Sequence, residues 1–211
     1  MRVDRAREAA LDALAACRRN GAWIDGALKQ VLKRDGLSGR DAAFASRIAY
    51  GVMQNRIYLD RCLARCLTQR PEKLEPLLLD ILRIGAYQIL LMDKVPVNAA
   101  VNEAVEMAKA HKLSRAAGLV NAVLRNVDRR RGEPLAFADE LEALSVQTSH
   151  PRALVERVVG LLGAEEAEAF LRANNEPVPT TIQTNTLKTT AKQLRASLED
   201  EGVTVEPHPW L

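Results

Sequence analysis

The stretch Leu74-Glu75-Pro76-Leu77-Leu78-Leu79-Asp80-Ile81-Leu82-Arg83-Ile84-Gly85-Ala86-Tyr87-Gln88-Ile89-Leu90-Leu91-Met92 decides the fold. Wound as a helix it is apolar nearly all the way round, and such a helix must be surrounded by other elements. Pro76 fits only in the first turn, where its missing N–H leaves no hydrogen bond unmade. The stretch therefore predicts a central, buried helix. It does not read as a membrane span: Arg83 interrupts it and Asp93 and Lys94 bound it, short of the roughly 20 apolar residues a bilayer requires.

Upstream, the pattern is helical throughout. Residues 4–19 carry Ala9, Ala10, Ala13, Leu14 and Cys17 as an apolar stripe, closed by Gly21. Residues 24–34 place Ile24, Leu28, Val31 and Leu32 on one face before Asp35-Gly36. Ser38, three before Asp41, reads as a variant capping signal for a long segment with Phe44, Ile48, Val52 and Met53 on one side, bending near Asn55. A further helical stretch carries Ile57, Leu63, Cys66 and Leu67 up to Pro71. Downstream, helices are expected over 97–111 and 114–131, the second with Leu119, Val123, Leu124 and Val127 inward. Residues 1–132 thus predict an all-α bundle.

At Gly132 the character changes. Residues 1–132 hold 24 Lys+Arg against 14 Asp+Glu, and residues 133–211 hold 6 against 13, so the chain's net charge of +3 hides a basic part and an acidic part. Confinement of positive charge to one part suggests that this part meets a polyanion. Residues 133–149 read as an acidic, partly helical linker. Pro151 starts a helix that Gly163 ends, and a short acidic helix follows to about Asn174. Glu176-Pro177-Val178-Pro179 then forces extended chain, and the β-branched run 180–186 predicts a strand. A helix over 191–200 leads through Gly202 to a second short strand at Val203-Thr204-Val205. The expected fold is mainly α, a helical bundle followed by a small, incomplete α/β unit. Ending at Pro207-His208-Pro209-Trp210-Leu211, with no further strand to cover the sheet edge, the chain reads as part of a longer protein.

Two separated stretches resemble known families. Ile81-Leu82-Arg83-Ile84-Gly85-Ala86-Tyr87-Gln88-Ile89-Leu90, the run from Val97 through Asn98, Asn102, Glu103 and Ala104 to Lys109, and Gly118-Leu119-Val120-Asn121-Ala122-Val123-Leu124-Arg125 resemble the NusB fold. Ser149-His150-Pro151, Ala173-Asn174-Asn175-Glu176 and Asn185-Thr186-Leu187-Lys188 resemble the segment before the catalytic domain in the RsmB (Sun/Fmu) family. Where that family usually has an arginine, this chain has Gln183. The resemblance implies a small-subunit ribosomal RNA cytosine-C5 methyltransferase using S-adenosylmethionine, with ribosomal RNA as partner; a cytoplasmic location is expected because charged residues interrupt the first 20 positions and no apolar run reaches a membrane span. It also implies that Arg2, Arg5 and Arg7, at the arginine-rich N-terminus, are the first candidates for RNA contact. The alternative is a NusB-type antitermination or protein-interaction factor whose bundle pairs with a ribosomal protein.

The methyl-transfer chemistry itself is not legible in these residues. Methylating carbon 5 of a pyrimidine needs a thiolate to add to carbon 6. The family's cysteines follow a Pro and a Thr, whereas Cys17 follows Ala16, Cys62 follows Arg61 and Cys66 follows Arg65. Gly160-x-x-Gly163 follows a helix instead of a strand, so it reads as a helix stop and not as a cofactor turn. No catalytic, cofactor or metal residue is therefore expected. Cys62 and Cys66 lack the partners of a four-ligand metal site. Tyr50, Tyr58 and Tyr87 read as core, and His111, His150 and His208 as isolated.

Overall fold

The computed structural model describes residues 3–177 and 180–208. Two compact units divide at Asn175/Glu176. Among the described residues, the first contains ten α-helices: α1 (Arg5–Asn20), α2 (Ile24–Asp35), α3 (Gly39–Gln54), α4 (Arg56–Ala64), α5 (Pro76–Leu91), α6 (Val97–Ala110), α7 (Ala117–Arg129), α8 (Glu140–Thr148), α9 (Arg152–Leu162) and α10 (Ala164–Ala173).

Helix α5 is the hub. Pro76 occupies its first turn, and α1, α3, α4, α6 and α7 pack around it. Ile81, Leu82, Ile84 and Ala86 are fully buried, each large aliphatic side chain contributing about 1.5–3 kcal/mol on leaving water. Two glycines permit close approach. A Cβ on Gly51 of α3 would land in the Tyr87 ring, and one on Gly85 would lie 2.5 Å from Leu124 Cδ1 of α7. Asp80, 3% exposed, is the one buried carboxylate of α5 and sits between Arg18 Nε and Arg83 Nη1, both at 3.0 Å. A buried charge requires such partners.

Several local expectations shift. Ser38 stands at the N-cap of α3, yet its side chain caps nothing. In α7 the inward residues are Val120, Val123, Leu124 and Val127, while Leu119 faces outward. The stretch expected as an acidic linker contains α8, capped by Asp139 and held to α4 by a 2.5 Å ion pair between Arg61 and Glu142. The hairpin α9–α10 then seats on α8 through polar groups. Ser145 Oγ donates to the His150 carbonyl (2.7 Å), Asn174 Nδ2 meets His150 Nε2 (3.0 Å), and Asn175 Nδ2 donates to the Thr148 carbonyl (2.6 Å). Gln54 of α3 donates to the Asn175 carbonyl (2.9 Å), which is why the first unit runs past residue 149 to Asn175.

The second unit contains α11 (Ala191–Asp200), opened by a reciprocal capping box between Thr190 and Gln193. The strands expected at 180–186 and 203–205 are not formed among the described residues. A strand forms only where a second strand runs alongside to share its N–H and C=O groups, and no strand is formed among the described residues of this unit. Instead Asn185 organises a turn, its side chain accepting from Leu187 N (3.1 Å) and its carbonyl from Lys188 N (2.9 Å).

Candidate nucleic-acid interface

Basic and acidic side chains interlock around the N-terminal end of α1. Asp4 caps the helix by accepting from Arg7 N at 2.9 Å, and its own amide donates to Glu103 of α6 at 3.1 Å. Arg5 is exposed and donates to the Asp35 carbonyl at the end of α2. Arg34 Nε binds the Asp35 carboxylate at 2.6 Å, and its terminal nitrogen reaches Asp12 at 2.5 Å. Hydrogen bonding from Arg34, aided by the charges of Arg34 and Arg5, outweighs desolvation and holds the Asp35 carboxyl below the usual carboxylate range. On the other flank, His111 at the end of α6 is not isolated: its Nε2 meets the Glu8 carboxylate of α1.

The three arginines named by the resemblance fare differently. Arg5 lies on the surface. Arg7 is only 9% exposed: its Nε donates to Gln88 of α5 at 2.8 Å, Asp4 lies 3.4 Å away, and its guanidinium stacks 4.9 Å over Phe44. It joins three helices, and only 11% of its side chain is exposed. Arg2 lies outside the described residues. The neighbours noted in sequence are also largely engaged. Arg18 binds Asp80 and Arg34 binds Asp12 and Asp35, while Arg19 reaches back to the Ala15 carbonyl at 3.3 Å. Lys33 stays exposed, with no acidic partner among the described residues.

Folding brings in cations that sequence proximity did not suggest. Arg40, just beyond the α2–α3 turn, and Lys112 and Arg115, just beyond α6, are exposed and without an acidic partner among the described residues. The Arg5–Asp35 and Glu8–His111 contacts bring the ends of α2 and α6 against the first two turns of α1. The signal that could have found these residues is their position at helix ends after Gly36 and His111, but which ends meet is a tertiary fact. Unpaired cations around one helix end offer donors and positive potential to phosphate oxygens. The Arg129-Arg130-Arg131 run serves the fold instead. Arg130 pairs with Glu133 at 3.0 Å and donates to the Arg65 carbonyl at 2.7 Å, and Arg131 lies 3.7 Å from Asp93.

Methyl-transfer groups do not assemble among the described residues. Gly160 lies within α9 and Gly163 ends it at a positive φ, so neither forms the strand-to-helix turn that S-adenosylmethionine would need. Burial pushes the thiols of Cys17, Cys62 and Cys66 above their ordinary pKa, the opposite of an activated nucleophile. Tyr87 is buried and Tyr58 half-buried, the latter pushed up to about 12 mainly by desolvation, whereas Tyr50 is exposed and donates to Asp25 at 2.6 Å. Among the described residues, no helix is long and apolar enough to cross a membrane.

The NusB family model matches residues 4–129, and the ferredoxin-like domain of Methyltr_RsmF/B-like proteins matches residues 150–211. A probable ribosomal RNA small subunit methyltransferase B of Bacillus subtilis is 34% identical over 208 residues, covering 98% of this chain and 46% of the relative. A putative methyltransferase of Mycobacterium tuberculosis is 37% identical over 183 residues, covering 82% and 40%. The chain thus spans about half the length of these relatives. Among solved structures, that of PH0851 superposes with a TM-score of 0.73 at 21% identity over all of this chain and 47% of the other. The antitermination factors NusB and NusE in complex with dsRNA give a TM-score of 0.56 at 18% identity over 60% of this chain and 95% of the other. Both likenesses concern the fold. With the family model matching more than half of the whole chain, this chain belongs to the NusB family, and its residues 150–211 match the ferredoxin-like domain of Methyltr_RsmF/B-like proteins.

Proposed function

We propose that this polypeptide binds and orients small-subunit ribosomal RNA for a cytosine-C5 methyltransferase acting in the cytoplasm. S-adenosylmethionine would supply the methyl group, and residues beyond these 211 would hold the cofactor and the nucleophilic cysteine. The observation that carries this reading is the group of exposed cations, Arg5, Arg40, Lys112 and Arg115, around the start of α1. Arg2, three positions before Arg5 in sequence, is kept as a candidate contact, and Arg7 fixes the helix end from which Arg5 projects. The relatives named as ribosomal RNA methyltransferases supply the substrate class. The matched segment 150–211 favours this reading over a NusB-type antitermination factor that pairs with a ribosomal protein.

Replacing Arg40, Lys112 and Arg115 together by Ala tests it. Binding to a small-subunit RNA fragment should weaken, and the slope of log affinity against log salt should fall by about 0.7–0.9 for each phosphate no longer neutralised. An unchanged slope would remove this surface from the interface. The 211-residue chain, given labelled cofactor and unmodified RNA, should transfer no methyl group.

A further inference from the structure

A cleft of about 470 Å³ opens between the α1–α2 turn, the α3–α4 junction and α5, within the size range of small-ligand sites. Leu14 and Val52 form a buried apolar floor. Trp23 lines the rim and is 85% exposed, an uncommon cost for so large an apolar ring unless it meets something. The polar groups of the same cleft are unevenly charged: Arg18, Arg56 and Arg83 face a single carboxylate, Asp80.

These cations are not equivalent. Arg83 is held by Asp60 and Asp80 through Nε and both terminal nitrogens. Arg18 reaches Asp80 through Nε, which leaves its terminal nitrogens for a ligand. Arg56 is exposed with no acidic partner among the described residues, and it stands in the first turn of α4, where the helix dipole adds to its positive potential. An aromatic face, an apolar floor and unmatched positive charge are together complementary to an unpaired nucleotide, whose base stacks while its phosphate pairs with arginine. An acidic or apolar peptide would use the charge or the floor but not this combination.

We infer that the cleft holds one unpaired nucleotide of single-stranded RNA, its base on Trp23 and its phosphate at Arg56. This rests on the reading of the protein as an RNA binder, and it adds a second point of grip that senses unpaired bases.

The test uses the whole chain carrying Trp210→Phe, which leaves Trp23 as the sole tryptophan. A single-stranded pentaribonucleotide should quench its fluorescence, and an abasic ribose-phosphate chain of equal length should not. Trp23→Ala and Arg56→Ala, both at exposed positions, should keep the helical circular dichroism and weaken pentaribonucleotide binding by on the order of tenfold for the stacked base. Absence of quenching, undiminished binding by Trp23→Ala, or equal quenching by an acidic peptide would overturn the assignment. If the cleft fails while the Arg40, Lys112 and Arg115 replacement still weakens RNA binding, only the cleft is ruled out. If neither set affects RNA binding, the RNA reading falls as well.

Discussion

Arg7 and Arg5, two residues apart, should respond to replacement in opposite ways. Arg7→Ala removes a charge-assisted hydrogen bond to Gln88 at 2.8 Å, of the kind that contributes about 1.5–3 kcal/mol. It also removes a shielded guanidinium 4.9 Å over Phe44, an interaction contributing about 0.5–2 kcal/mol. The half-open ion pair with Asp4 adds at most about 1 kcal/mol. These effects overlap, so the expected loss is about 3–4 kcal/mol, with Gln88 Oε1 left buried without its donor. With an m-value of about 2 kcal/mol/M, the urea midpoint followed by circular dichroism should fall by about 1.5–2 M. Arg7→Lys should recover little, because an ammonium cannot reproduce the directed Nε donor or the planar stack. Arg5→Ala, which gives up one exposed hydrogen bond to a carbonyl, should shift stability by under about 1 kcal/mol and weaken RNA binding. An Arg7→Ala protein as stable as the parent but deficient in RNA binding would refute this division of labour.

Gly51→Ala should destabilise the bundle by about 1–3 kcal/mol in urea, since the new methyl meets the Tyr87 ring, whereas Gly160→Ala, with open space around it, should stabilise α9 by up to about 1 kcal/mol. At pH 8, Cys17, Cys62 and Cys66 should react with a thiol reagent more slowly in the folded chain than in urea, because burial raises their pKa; equal rates would refute that burial. Asp139 is held below its ordinary pKa of 3.8 by the Glu142 backbone hydrogen bond and then by Arg152, so its contribution is present above about pH 4 and disappears as pH falls through the lower folded value. Asp139→Asn should therefore flatten the acid limb of a stability-against-pH curve, and an unaltered limb would show that the cap carries no charge effect.

What the sequence shows plainly is what repeats at helical spacing or is forced by proline. The hub α5 follows from its unbroken apolar run and from Pro76, and the outer helices follow from their stripes and glycine stops. One-residue errors of facing remain, as with Leu119 and Val120, because adjacent apolar residues fit the period almost equally. The β-branched run at 180–186 shows the limit of local preference, since a strand is defined by its partner. At the candidate interface, composition separated a basic part from an acidic one, but it could not tell which arginines were engaged. Arg7 with Gln88 and Glu8 with His111 are separated by 81 and 103 positions, and no local pattern links them.

The amides at Asn174 and Asn175 do more than complete a ladder of hydrogen bonds. Apolar seams tolerate slippage, because a leucine displaced by one turn meets another leucine; an amide group that must find a given carbonyl and imidazole has a single acceptable alignment. The α9–α10 hairpin is thereby indexed to its seat like a key to its wards. Its outward side chains Leu161, Leu162 and Phe170 take no part in that indexing, so replacing them would leave the hairpin's seat where it is.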